Sequence, residues 1–187
     1  MKKIAFLIAF VIVAFTARSQ KFVPTIKSGT VLNYSAHIRA FDRTLPATLT
    51  ITELTAPLKI KWEAGGMGTG TFEVSAKAIQ SGTKVGIKQP GYDDVTKLKD
   101  DETLIFLSKD TFNELVTNKT FTLNKQTFKV TDGAPAFTIA DKEADTFYAL
   151  SENGKVKLWI LNNPDLPLIC KIEGGIQGVD LVLNNVL

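Results

Sequence analysis

Four stretches of the chain alternate apolar and polar residues with a period of two, and that period admits extended strands rather than helices. Leu32, Tyr34, Ala36, Ile38 and Ala40 share one face of a strand near residues 30–42. Leu45, Ala47, Leu49 and Ile51 alternate with Pro46, Thr48, Thr50 and Thr52. Leu58, Ile60 and Trp62 alternate with Lys59, Lys61 and Glu63, and Phe72, Val74, Ala76 and Ala78 with Thr71, Glu73, Ser75 and Lys77. Such strands are half-buried, with one face in a core and one in water, as in an antiparallel sheet. Their connections are short and rich in turn residues: Asp42-Arg43-Thr44, Ala56-Pro57 and Gly65 to Gly70. A meander follows. The first two strands are about twice the common length of roughly 5–6 residues. Long strands accumulate twist, so the sheet curls into a half-barrel or barrel-like form whose concave face wraps around a helix or an apolar cavity.

Lys88 to Glu102 is polar, holds Pro90-Gly91, and reads as an irregular excursion. Leu104 to Leu107 is a short apolar run expected as a buried strand. Ser108 then caps a short helix over about 108–117 through Phe112 and Leu115. Strands are expected at Thr120–Leu123, Thr127–Thr131, Thr146–Leu150, Lys155–Leu161, Leu168–Glu173 and Val179–Leu183. Glu152-Asn153-Gly154 supplies a hairpin turn. With no linker, repeat or low-complexity tract, residues 20–187 are read as a single, mainly β domain.

The start of the chain has the parts of an export signal. Lys2 and Lys3 precede the unbroken apolar run Ile4 to Phe15, and Ala17-Arg18-Ser19 offers small residues where a signal peptidase reads. The run is shorter than the roughly 20 apolar residues that span a bilayer. Residues 1–19 are therefore expected to be a signal peptide, cleaved after Ser19 to leave Gln20 first and placing the domain in the periplasm or outside the cell. No cysteine follows the cleavage point, so no lipid anchor is expected there.

The leader carries Lys2, Lys3 and Arg18 and no acid, so the formal charge of +3 belongs to it and residues 20–187 are neutral. That neutrality removes the electrostatic case for a nucleic-acid partner. A single cysteine, Cys170, excludes an internal disulfide, and a single histidine, His37, excludes any site needing two imidazoles.

Each chemically suggestive residue has a structural reading that suffices. Gly65-Gly66-Met67-Gly68-Thr69-Gly70 is followed by a strand, whereas a phosphate-cradling loop needs a helix N-terminus, so it reads as a hairpin. Asp93-Asp94 and Asp100-Asp101-Glu102 lack the alternating ligands and glycine turn of a calcium loop and read as a solvated acidic stretch. His37 lies with Asn33, Ser35 and Arg39 on the polar face, and no nucleophile elbow accompanies it. Cys170 falls on the Leu168/Ile172 face and reads as a buried, inert thiol. Trp159 shares its face with Lys155 and Lys157, which places it on the surface or in a contact patch. No catalytic set, metal site or cofactor motif is present among these candidates.

Two segments, Asp101-Glu102-Thr103-Leu104-Ile105-Phe106-Leu107-Ser108 and Asn163-Pro164-Asp165-Leu166-Pro167-Leu168, carry a resemblance. In them the chain resembles the uncharacterised β-rich envelope proteins of Gram-negative bacteria. Its curled sheet is similar to that of lipoprotein carriers and lipocalin-like folds. The resemblance implies a fold and a compartment. With the long strands and neutral charge, the expected function is non-catalytic binding of an apolar or amphipathic ligand in the concave face. That face is lined by Tyr34, Ile38, Leu49, Ile51, Ile60, Trp62, Phe72 and Val74. A pocket of roughly 300–1,000 Å³ is expected, with the helix of Phe112 and Leu115 as its plug. The alternative is a structural or protein-interaction module of the envelope with a filled core and no small-molecule ligand.

Overall fold

The computed structural model describes residues 21–64, 68–88, 91–133 and 135–187. The expected signal peptide and its cleavage point lie outside the described residues, as do 65–67 of the glycine-rich turn and Pro90.

In chain order the elements are β1 (Val31–Ile38), β2 (Arg43–Glu53), β3 (Leu58–Ala64), β4 (Gly68–Val74), α1 (Ala76–Ser81), β5 (Lys84–Val85), β6 (Val95–Lys97) and β7 (Glu102–Thr103). There follow α2 (Lys109–Asn118), β8 (Thr120–Leu123), β9 (Gln126–Val130), β10 (Thr138–Ile139), β11 (Lys142–Glu143), β12 (Thr146–Ser151), β13 (Lys157–Leu161), β14 (Ile169–Ile176) and β15 (Val179–Val186). The chain is mainly β, as the alternation implies. One eleven-stranded sheet runs in the order β6-β4-β3-β2-β1-β15-β14-β13-β12-β9-β8. Its pairs are antiparallel except β4–β6, which is parallel, so the sheet is mixed rather than a pure meander.

The sheet is open, yet the elements flanking its two ends touch. After β4 comes α1, and before β8 comes α2. Gln80 Nε2 donates to Asp110 Oδ1 over 2.7 Å, and Thr111 Oγ1 donates to the Gly82 carbonyl. The β8–β9 turn joins them: Val85 N–H donates to Asn124 Oδ1 and Asn124 N–H to the Thr83 carbonyl. Helices and side chains thus span the interval that ladder hydrogen bonds would close in a barrel.

The buried core lies on the concave face. The register stacks Leu49, Trp62 and Gly70 in one row across β2, β3 and β4, and Ile51, Ile60 and Phe72 in the next. Leu32, Tyr34, Leu58 and Val74 share this face and are buried. Eleven residues make β2, as its alternation implies, but the first strand stops at Ile38 rather than running to residue 42. A 3-10 turn, Arg39–Phe41, reverses the chain early, because Asp42 adopts φ 48° and its N–H donates to the Arg39 carbonyl. Aspartate tolerates that left-handed conformation better than most residues.

Three further segments depart from the sequence reading. The fourth alternating stretch is strand only to Val74. Ser75 Oγ accepts from Ala78 N–H and starts α1, and Ala-Lys-Ala satisfies a helix as well as a strand. Leu104 to Leu107 is buried but not a strand, and Phe106 makes a single bridge to Leu168. Thr103 Oγ1 donates to the Phe106 carbonyl over 2.7 Å and folds the segment into a turn. Inside the expected excursion of 88–102, β6 pairs with Thr71 to Glu73. The helix at Ser108 appears where expected, with Ser108 Oγ accepting from Thr111 N–H.

Candidate functional site

The β1–β2 turn, the end of β3, the start of β4 and the β14–β15 hairpin all lie at one end of the sheet, because β1 and β3 run toward that end and β2 and β4 away from it. Near it, an apolar cleft of about 80 Å³ interrupts the packing of the concave face. Its floor is Tyr34 and Ala36 of β1, Ala47 and Leu49 of β2, Trp62 of β3 and Phe72 of β4. Leu181 of β15 and the segments Gly86–Lys88 and Leu104–Ile105 form its other walls.

Four of the eight residues expected on the concave face line this cleft: Tyr34, Leu49, Trp62 and Phe72. Ile51, Ile60 and Val74 share their face but are buried in the core beneath neighbouring side chains. Ile38, half-buried at the end of β1, lies outside the lining. The cleft is smaller than the expected 300–1,000 Å³, and the reason is local. The plug is not the helix: Phe112 packs edge-on against Phe147 of β12, with ring centroids 6.0 Å apart. Loop residues Gly86, Ile87, Leu104 and Ile105 cover β1–β4 instead. The sequence signal for them was the apolar run at 104–107, whose burial was legible but not its destination.

Hydrogen bonds hold the covering segments in place. Gly86 N–H donates to the Thr103 carbonyl, and Ile87 N–H donates to Gln177 Oε1 over 3.2 Å. Lys88 Nζ lies 3.0 Å from both carboxylate oxygens of Glu102. A Cβ at position 86 would sit 2.1 Å from Glu102 Oε1, so a larger residue there would require this carboxylate to move. Deeper in the core, the Tyr34 hydroxyl donates to the Ile169 carbonyl over 3.1 Å. Burial, with the neighbouring Cys170, raises the Tyr34 hydroxyl well above its ordinary pKa.

The other sequence candidates are placed as follows. Cys170 is fully buried, and burial pushes its thiol up to about 12. His37 sits at the β1–β2 end, with Nδ1 3.2 Å from Thr44 Oγ1 and Nε2 3.6 Å from Asp42. Among the described residues, no three His, Cys, Asp or Glu side chains are grouped to hold a metal ion. The acidic stretch is tied into ion pairs, with Lys77 beside Asp100, Lys84 on Asp101 and Lys88 on Glu102.

Trp159 is the clearest correction. It is only 3% exposed, not on the surface or in a free patch. Its Nε1–H donates to the Pro135 carbonyl, Tyr148 packs with its ring centroid 4.7 Å away, and Lys171 Nζ lies over the ring. Period-two alternation assigns Trp159 correctly to the face opposite Leu158 and Ile160, but alternation says nothing about a second layer. Residues 135–143 supply one, with Phe137 and Ile139 buried. Among the described residues, the exposed aromatic ones are Phe41, 78% exposed on the β1–β2 turn, and Tyr92, 72% exposed beside Gly68. Among the described residues no helix is long and apolar enough to cross a membrane.

Compared with protein-family models, with curated proteins and with solved structures, the chain has no match in any of the three.

Proposed function

We propose that this is an exported, non-catalytic binding protein that takes the apolar end of an amphipathic ligand into the cleft over Tyr34, Leu49, Trp62 and Phe72. The observation that supports this is the cleft itself, an apolar gap in an otherwise filled concave face, close to the turn-bearing end of the sheet. Its volume exceeds the roughly 10–15 Å³ that one water needs and falls below the range for a whole drug-sized molecule. It therefore suits the last few carbons of a chain, with the rest of the ligand in solvent. Desolvating those carbons contributes about 0.8 kcal/mol per methylene, which makes binding weak and dependent on chain length.

The second reading is a protein-interaction module of the envelope without a small-molecule ligand. The extent to which the chain's own segments fill the concave face favours it, as do the exposed rings of Phe41 and Tyr92. The test is titration with an environment-sensitive apolar dye, alone and against Ala47→Trp. Ala47 is half-buried on the cleft floor, and a larger side chain there fills the space. Saturable dye uptake that Ala47→Trp abolishes, at unchanged melting temperature, supports the ligand reading. Absence of uptake, or uptake indifferent to the substitution, hands the protein to the second reading.

A further inference from the structure

We infer that the ligand of the cleft is a single-chain amphiphile with an anionic headgroup, and that Lys88 is the residue that receives that headgroup. This inference rests on the binding role proposed above. Among the described residues lining the cleft, Lys88 alone carries a charge. Lys88 follows Ile87 in the cleft lining and its side chain is 41% exposed, so it sits at the boundary between the cleft and solvent, where a lysine has an apolar stem and a charged tip to offer. A chain end seated on Trp62 and Leu49 therefore presents its polar head to a cation.

The ammonium is held there rather than left to wander. Glu102, with a side chain only 13% exposed, grips it through both carboxylate oxygens at 3.0 Å. Glu102 in turn occupies space that exists because residue 86 has no Cβ. Glu102 is not among the cleft's lining residues, so of this pair it is the cation that borders the cleft. An ammonium offers three donors, and a partly exposed ion pair contributes little enough that an incoming anion can share or replace it.

A carboxylate and a phosphate headgroup satisfy this chemistry equally, and their sources differ, so both enter the test. Trp62 lines the cleft and reports binding through its emission. Octanoate, octyl phosphate, 1-octanol and octylammonium, which share one chain, are titrated at pH 7. The two anions are expected to bind roughly three- to five-fold tighter than 1-octanol, with octylammonium weakest. Lys88→Met should abolish the preference of the anions over 1-octanol, read as the ratio of affinities within the same variant. Glu102→Gln, which removes the competing carboxylate, should widen the preference for anions. A preference for one anion alone assigns the headgroup source and still supports a cationic receiver. Equal binding of anions and 1-octanol, an anion preference that survives Lys88→Met, or tighter binding of octylammonium overturns the inference and leaves the cleft reading intact. If none of the four binds, the cleft reading itself falls. Urea melts of both variants establish that a lost signal is not lost folding.

Discussion

Replacing Tyr34 with phenylalanine deletes one hydroxyl and nothing else, and the structure states what that hydroxyl does. It reaches from β1 across β15 to the Ile169 carbonyl on β14, over 3.1 Å, with both residues almost fully buried. At that point the β13–β14 register shifts between Trp159 and Ile160. The tyrosine therefore donates to β14 where the ladder is irregular. Removing the donor leaves a desolvated carbonyl with one partner fewer, which costs about 1–3 kcal/mol, while the retained ring prevents a large cavity. For a domain of this size each kcal/mol moves the melting temperature by about 2–4 °C, so Tyr34→Phe should melt roughly 2–12 °C lower. Urea unfolding at pH 7 measures the difference, and binding in the cleft should survive, because the ring that lines it remains. The sign at high pH is also determined. Because burial raises the hydroxyl pKa in the folded state, its contribution is intact below the ordinary tyrosine value near 10 and is lost as pH rises above it. The variant should lose less stability than the wild type in that range. A change below about 0.3 kcal/mol, or a gain, would refute the role given to this bond.

Cys170, raised from 9.0 to about 12 by burial, makes a parallel case: its share of stability is complete below pH 9 and is lost as pH climbs toward 12, by on the order of 4 kcal/mol in all. Cys170→Ala should flatten that decline in alkaline urea melts, and native protein should resist thiol reagents until it unfolds. Ser108→Ala, which removes the α2 cap and a buried hydroxyl bonded to Thr111, should cost about 1–2 kcal/mol by denaturant melting. Trp159→Ala should cost about 3–5 kcal/mol and raise hydrogen exchange over 135–139, whereas a loss below 1 kcal/mol would mean the second layer is not packed on it. Protein expressed with export should have the intact mass of a chain beginning at Gln20, and retention of Ile4 to Phe15 would instead indicate a membrane anchor.

What was legible in the sequence depended on whether local pattern and tertiary setting agreed. From Leu45 to Ile51 of β2 the apolar inward residues alternate with Pro46 and threonines, and along β3 they alternate with charged residues, so period two identifies both strands directly. Ser108 and the apolar positions of α2 supplied a cap and, directly after it, a helical face. In α1 the two periodicities coincide, and only the capping hydroxyl of Ser75 separates them. Strand β6 is three residues long and pairs in parallel with a strand some twenty residues earlier, a contact that no local alternation encodes. Four of the eight expected site residues reach the cleft because facing is readable from a strand. The segments that shrink it come from loops, whose landing place is decided by the whole fold.

The position of β15 between β1 and β14 has a bearing on how the molecule comes into being. Tyr34 faces Leu183 across a ladder that joins chain segments some 150 residues apart. Among the described residues, the ladder hydrogen bonds that join β1–β4 to β12–β14 all run through Val179 to Val186. Contacts so distant in sequence make loop closure expensive and folding slow. The hairpins of β1–β4 can form early, but the sheet is not sealed until the β15 segment arrives. Under the export proposed above, that late sealing would be an advantage, because a chain crosses a membrane more readily before its sheet has closed. A circular permutant that joins β15 directly to β1 would turn the slowest contact into the most local one, and would trade that late sealing for rapid closure.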